Sequence, residues 1–321
     1  MARVLVLGTI HPAGLERLAA QAGVEPIVVD ERDDAAIDAA LAQAKAVIVR
    51  TAPLSARRIA AAPRLEVIAK HGVGVDNIDL AAARARGIPV TVTASANATS
   101  VAEFAFAQML ALAKQLARMD AAVRAGDWAA RNRPGPIELA GKTLLVVGFG
   151  RIGTRVARRA LAFEMRVLVH DPFLSPARVR EAGCEPADEL DAALPNADVL
   201  SLHCPLTAAT RGMIDAARLA RLRPTAFLIN TARGGLVDET ALAEALRAHR
   251  LAGAALDVFA REPLPADDPL RDCPNLLLSP HVAGVSAESA RRMALEAAEN
   301  VLAGLEGRLD PSVVVDPEAL A

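Results

Sequence analysis

The sequence predicts an α/β protein built on doubly wound parallel sheets, and three observations carry that prediction. Short apolar runs of strand length alternate with helix-like segments from one end of the chain to the other, an order that gives parallel strands joined by crossover helices. Residues 143–171 join a strand, a glycine-rich turn, a helix and a second strand that ends in an acid. The 321 residues suffice for two domains, each burying its own core.

Taken in order, residues 3–7 read as a strand, 13–22 as a helix and 26–29 as the next strand. Helix 35–43, strand 46–49, helix 55–62, strand 65–69, helix 79–86 and strand 89–93 follow. Five strands with intervening helices make one doubly wound sheet of domain size. Ser100 with Glu103 spells a capping-box start. Residues 101–123 then read as one long helix, apolar all round and so buried on several sides, as a bridge between domains or a subunit contact. Trp128 is expected to pack, and a Pro134-Gly135-Pro136 turn leads to the next strand, 143–147.

That strand opens into Gly148-Phe149-Gly150-Arg151-Ile152-Gly153. Strand, glycines, helix and closing acid together form a dinucleotide-binding fingerprint. Gly148 permits the tight turn, Gly150 lets backbone approach a pyrophosphate, and Gly153 lets helix and strand pack closely. The helix start at Arg151 and Ile152 offers N–H groups and a positive dipole end to phosphate. Asp171, 18 residues after Gly153, stands where a carboxylate accepts hydrogen bonds from ribose hydroxyls. A 2′-phosphate would meet its like charge, which favours NAD over NADP.

Beyond Asp171, helix 176–181, strands 199–203 and 226–229, helix 239–248 and strands 253–258 and 276–278 continue the alternation. Ser286 caps a last helix, 287–305, before an extended 313–315. Ligands in open α/β sheets sit outside the carboxyl ends of the strands. There the chain places Arg233 within Asn230-Thr231-Ala232-Arg233-Gly234-Gly235, Glu262 within Phe259-Ala260-Arg261-Glu262-Pro263, and His281 within Ser279-Pro280-His281.

Composition narrows the partners. With 36 basic and 38 acidic residues, net charge −2 and no cationic cluster, neither nucleic acid nor an anionic membrane is expected. Cys184, Cys204 and Cys273 are odd in number and lack metal-ligand spacing, so no metal is expected and a reducing cytoplasm is. Met1 runs straight into a strand, leaving no targeting segment, and no stretch reaches transmembrane length.

These motifs resemble the D-isomer-specific 2-hydroxyacid dehydrogenase family. The matching stretches are His71-Gly72-Val73-Gly74-Val75-Asp76-Asn77-Ile78-Asp79, Ser100-Val101-Ala102-Glu103, the fingerprint, 231–239, 254–263 and Pro280-His281, in order over nearly the whole chain. The resemblance implies two Rossmann-like doubly wound domains. The substrate domain is discontinuous and flavodoxin-like (1–99 plus 287–321), with the NAD-binding domain (100–286) inserted and the two long helices as crossings. It also implies a homodimer, NAD as cofactor, and a small 2-oxo or 2-hydroxy acid as substrate. Arg233, Glu262 and His281 match the catalytic trio. Arg233 would hold the substrate carboxylate and polarise its carbonyl. His281 would act as acid/base while hydride moves between nicotinamide and substrate, and Glu262 would orient it and favour its protonated form. Glu262, where formate dehydrogenases carry Gln, argues against that activity.

Further carry-overs line the two sites. Asp257 matches a contact to the nicotinamide carboxamide, its alternative being a buried acid held by backbone. Cys204 and Thr231 match positions whose backbone lines the cofactor. Val73 and Gly74 match a loop whose N–H groups meet the substrate carboxylate. Arg50 resembles a binder of a distal anionic group in the phosphoglycerate branch; Lys70 could add charge, the alternative for both being solvated surface cations. Asn97 either faces the substrate or merely precedes the helix. Candidate substrates are 3-phosphoglycerate, hydroxypyruvate and glyoxylate. The chain ends at Ala321, so a C-terminal regulatory domain is not expected. NAD(H)-binding corepressors of the same family, which keep the trio, supply the alternative to catalysis.

Overall fold

The computed structural model describes residues 1–133 and 135–315; Pro134, in the expected turn, and 316–321, in the expected last segment, lie outside the described residues. The chain divides into two compact units, Met1–Asn97 together with the chain from Val285 on, and Ala98–Gly284.

The first unit holds β1 (Ala2–Leu7), β2 (Val24–Val29), β3 (Ala46–Val49), β4 (Val67–Lys70) and β5 (Val90–Val92), all parallel in the order β2-β1-β3-β4-β5. β3 and β4 are buried along their whole length, because helices cover both faces of the sheet and leave no polar side. The helix Ala287–Leu305 lays Ala294, Ala297, Ala298 and Val301 against Val4, Ile48 and Val67 of one face. Its start is fixed by a capping box in which Ser286 and Ser289 each accept the other's backbone N–H. Ile37, Leu41 and Ile59 cover the opposite face.

The second unit holds β6 (Thr143–Val147), β7 (Arg166–His170), β8 (Glu185–Pro186), β9 (Val199–Leu202), β10 (Phe227–Asn230), β11 (Gly253–Leu256) and β12 (Leu276–Leu278). Its order is β12-β11-β10-β9-β6-β7-β8, again all parallel. β8, two residues long, carries no periodicity a sequence can show. Both sheets are thus Rossmann-like doubly wound sheets, reversing direction between β1 and β3 in one and between β6 and β9 in the other. Ligands are expected at those switch points.

Three local expectations need correction. The helix expected over 101–123 is two, Ala98–Lys114 and Leu116–Arg124, broken where Gln115 turns left-handed (φ +49°). The first helix is buried on several sides, whereas the second buries no residue. Ser100 and Glu103 form no capping box, since the helix has already begun at Ala98. Ser100 Oγ donates to the Ala283 carbonyl (2.8 Å), and Glu103 pairs with Arg159 (3.0 Å). Trp128 does not pack; it is 68% exposed. Among the described residues no helix is long and apolar enough to cross a membrane.

Candidate active site

Three neighbouring strands of the second unit, β10, β11 and β12, deliver Arg233, Glu262 and His281 from the loops at their carboxyl ends. Asn230, the fully buried last residue of β10, shapes the Arg233 loop. Its Nδ2 donates to the Arg233 carbonyl (2.9 Å) and its Oδ1 accepts from Ala232 N (3.0 Å). Gly234 then presses this loop onto the one after β11. A Cβ there would lie 1.9 Å from the Phe259 carbonyl carbon, a distance only the absence of a side chain permits. The Arg233 charge is thereby close enough to act on Glu262.

Glu262 accepts from Phe259 N with Oε1 (3.0 Å) and pairs through Oε2 with His281 Nδ1 (2.7 Å). Burial by itself pushes this carboxyl up. The His281 bond, the Phe259 N–H and the charges of His281 and Arg233 outweigh it and hold the carboxyl below its ordinary range. An ionised Glu262 can only accept, so the shared proton lies on Nδ1 and Nε2 takes no part in the pair. Glu239 supports the same loop by accepting Ala260 N–H (2.7 Å); burial, with the charges of Asp268 and Glu262, raises its own carboxyl.

His281 stands in the left-handed region (φ +54°), costly for a side chain that is not glycine, and its surroundings hold it there. Its N–H donates to the Asp257 carbonyl (2.8 Å). The Asp257 carboxylate, fully buried, accepts from Val282 N (3.0 Å), Ala283 N (2.8 Å) and Ser279 Oγ (2.6 Å). Gln108 Nε2 reaches Ser279 Oγ in turn (3.2 Å). The visible work of Asp257 is therefore to clamp the loop that carries His281, the alternative weighed against a carboxamide contact. Gln108, Ser279 and Asn230 are the contributors that sequence reading missed. Asn230 and Gln108 signal themselves by polarity at positions where a buried strand or helix face should be apolar, whereas Ser279, half-buried just past β12, gives no such signal.

The fingerprint loop follows β6 at the switch point. Gly148 (φ +90°) packs so tightly under β9 that a Cβ would meet His203 and Cys204 backbone at 2.7 Å. Asp171, closing β7, accepts from Phe149 N (2.8 Å) and Phe173 N (3.0 Å), which ties the glycine loop to the strand end. Burial pushes the Cys204 thiol up to about 11, so it is no nucleophile, and its sulfur rests 3.7 Å from Met213.

In the first unit, Arg50 follows β3 and His71 follows β4, side by side because Val49 and Lys70 are register partners. Lys70 is buried rather than a surface cation, its ammonium donating to the Arg50 carbonyl and Asn77 Oδ1. Asn97 Oδ1 is buried without a hydrogen-bond partner.

Residues 106–283 match the family profile described as D-isomer specific 2-hydroxyacid dehydrogenase, NAD binding domain. The chain belongs to this family. It is 42% identical over 292 residues to the D-3-phosphoglycerate dehydrogenase of Mycobacterium leprae, covering 91% of this chain and 55% of that one. It is also 42% identical over 269 residues to the glyoxylate reductase of Korarchaeum cryptofilum, covering 82% of this chain and 80% of the relative. The TT0316 protein of Thermus thermophilus superposes with a TM-score of 0.88 at 40% identity, covering 98% of this chain and all of that one. The chain thus spans little more than half the length of the phosphoglycerate dehydrogenases it resembles.

The second unit is accordingly the NAD-binding domain, and its residues suit the dinucleotide. A Cβ on Gly150 would meet nothing within 4 Å, leaving the space a pyrophosphate needs, while Gly153 sits so close to the Gly148 carbonyl that a Cβ would lie 2.1 Å away. The N–H groups of Arg151 and Ile152 find no acceptor among the described residues, as expected of a phosphate cradle at a helix start. Thr231 Oγ1, after β10, is buried and unpartnered.

Proposed function

We propose that the protein is an NAD-dependent oxidoreductase that interconverts a small 2-oxo acid and its 2-hydroxy acid. The observation that supports it most is the His281 Nδ1–Glu262 Oε2 pair, on adjacent strand ends of the NAD-binding unit beside the Arg233 loop. Bound NADH would supply the hydride that the substrate carbonyl carbon needs. Arg233 holds the carboxylate and polarises the carbonyl. His281 Nε2 gives the proton that the oxygen acquires, and in the opposite direction takes it back. Glu262 keeps the imidazole oriented and compensates its positive charge.

In the first unit, the N–H groups of Val73 and Gly74 find no acceptor among the described residues, which suits a carboxylate-binding turn. Arg50 and the orphaned Asn97 Oδ1 add polar recognition, so 1–99 plus 287–321 serves as substrate domain and 100–286 as cofactor domain. The substrate is a small acid with a polar or anionic far end, of the 3-phosphoglycerate, hydroxypyruvate or glyoxylate type. Exposed Leu116, Val123 and Trp128, gathered on one helix and the turn after it, favour a homodimer through the NAD-binding unit. Three free cysteines favour the cytoplasm.

NADH oxidation followed by absorbance with phosphohydroxypyruvate, hydroxypyruvate, glyoxylate, pyruvate and bulkier 2-oxo acids tests the reading. Turnover with at least one small acid is expected. Tight NADH binding with no turnover on any of them would instead favour the corepressor-like alternative.

A further inference from the structure

His71 is an unexplained polar group in the first unit. It is 9% exposed, yet its Nε2 is buried without a hydrogen-bond partner. Buried polar atoms in folded proteins are almost always paired, so an orphan at a strand's carboxyl end calls for a ligand. Its setting is cationic. Arg50 emerges from the neighbouring strand, and its guanidinium finds no acceptor among the described residues. Lys70 precedes it. Of the acids on surrounding elements, Glu31 after β2 accepts from the Thr51 hydroxyl and N–H, and Asp76 in the same loop and Glu296 on the helix Ala287–Leu305 also have partners of their own, Glu296 holding Ala94 N–H at 3.0 Å. Burial first, then Arg50 and Lys70, push the imidazole down to about 4, so it is neutral at pH 7 while two cations stand beside it.

We infer that His71 and Arg50 form a proton-coupled recognition site for a dianionic group, of the phosphate-monoester or sulfate type, at the far end of the substrate. This rests on the reading of the first unit as the substrate domain and adds His71 to it as the residue that sets specificity. An arriving dianion reverses the sign of the local field, and the imidazole takes up one proton as the complex forms, giving the dianion a second charged donor besides the guanidinium fork. A neutral far end brings no such reversal and leaves His71 unprotonated. Discrimination between phosphorylated and unphosphorylated substrates therefore comes from a titration added to the fixed charge of Arg50.

The probe is sulfate, which stays dianionic throughout the range in which histidine titrates. Histidine-ring NMR on the full chain, titrated from pH 4 to 9 in chloride and again in saturating sulfate, should show the His71 midpoint rise from near 4 to 6 or above. Between those midpoints, sulfate affinity should strengthen by up to about tenfold for each unit by which the pH falls. His71→Asn should lower kcat/KM for phosphohydroxypyruvate relative to hydroxypyruvate by about tenfold or more. A His71 midpoint unmoved by sulfate, or an unchanged selectivity ratio in His71→Asn, overturns the inference. Should His71→Asn not fold, His203→Gln identifies the other low-midpoint imidazole and leaves His71 assigned by elimination. Absence of turnover with every 2-oxo acid would defeat the dehydrogenase reading alone, because the sulfate titration still decides the anion site.

Discussion

The proton at His281 is governed by one bond, the 2.7 Å contact to a carboxylate that its neighbours keep ionised. Glu262→Gln keeps the hydrogen bond and removes the charge. Protonated His281 then loses its compensating anion, so kcat for reduction should fall by about tenfold or more while NADH affinity changes little. An unchanged kcat would show that the charge of Glu262 does not matter to the proton transfer. His281→Ala should lower kcat by about 10²-fold or more, the worth of a positioned acid, with NADH affinity by fluorescence titration changed less than threefold. Arg233, Glu262 and His281 were legible in sequence because each sits in a short polar stretch just past an apolar strand. Asp257 was legible in sequence as either a carboxamide contact or a buried acid held by backbone. Coordinates add that both its oxygens go to the loop of His281.

Elements meet at glycines here, and Gly234 is the tightest such contact at the trio. Gly234→Ala would drive a methyl into Phe259 backbone, which cannot swing aside as a side-chain end can, so the β10 and β11 loops must part. Overpacking of this kind costs about 1–3 kcal/mol, and kcat should fall by more than the loss of NADH affinity, because the displaced loops carry Arg233 and Glu262. Urea unfolding followed by circular dichroism together with steady-state kinetics checks both. Unchanged kinetics would mean that the loops tolerate separation. Most strands could be read in sequence from apolar runs, as 46–49 shows, identical to β3 in the structure. The helix break at Gln115 could not, because no proline or glycine marks it and the left-handed turn falls on an ordinary polar residue. The capping pair Ser100 and Glu103 misled for the opposite reason. Local spelling was right, but tertiary partners at Ala283 and Arg159 claimed both side chains.

At the scale of the whole molecule, each unit carries one histidine that folding holds neutral, His71 in the first and His203 in the second, both down to about pH 4 by burial. Their ordinary value is 6.5, so between pH 6.5 and 4 the unfolded chain binds more protons than the folded one. Stability therefore falls as pH drops through this window. Each group withdraws about 2 kcal/mol by pH 5 and about 3 at pH 4, and nothing further once both states are protonated. Circular dichroism melts at pH 7 and pH 5 should show the loss. His203→Gln should make the second unit markedly less acid-sensitive than the first, and equal sensitivity would contradict this. Duplicate architecture was visible in the alternation of strands and helices. The differing strand orders of the two sheets were not, since spatial neighbourhood depends on which crossovers pass which edge.

Trp128 has a consequence of a different kind. It is the chain's one tryptophan, the sequence holds no tyrosine, and the indole lies in water at the surface. Ultraviolet emission from this protein is therefore a report from a single exterior point. It should shift to the blue when another surface covers residues 116–128, and change little when the cores melt. The protein comes with a built-in optical probe of association that is nearly blind to folding.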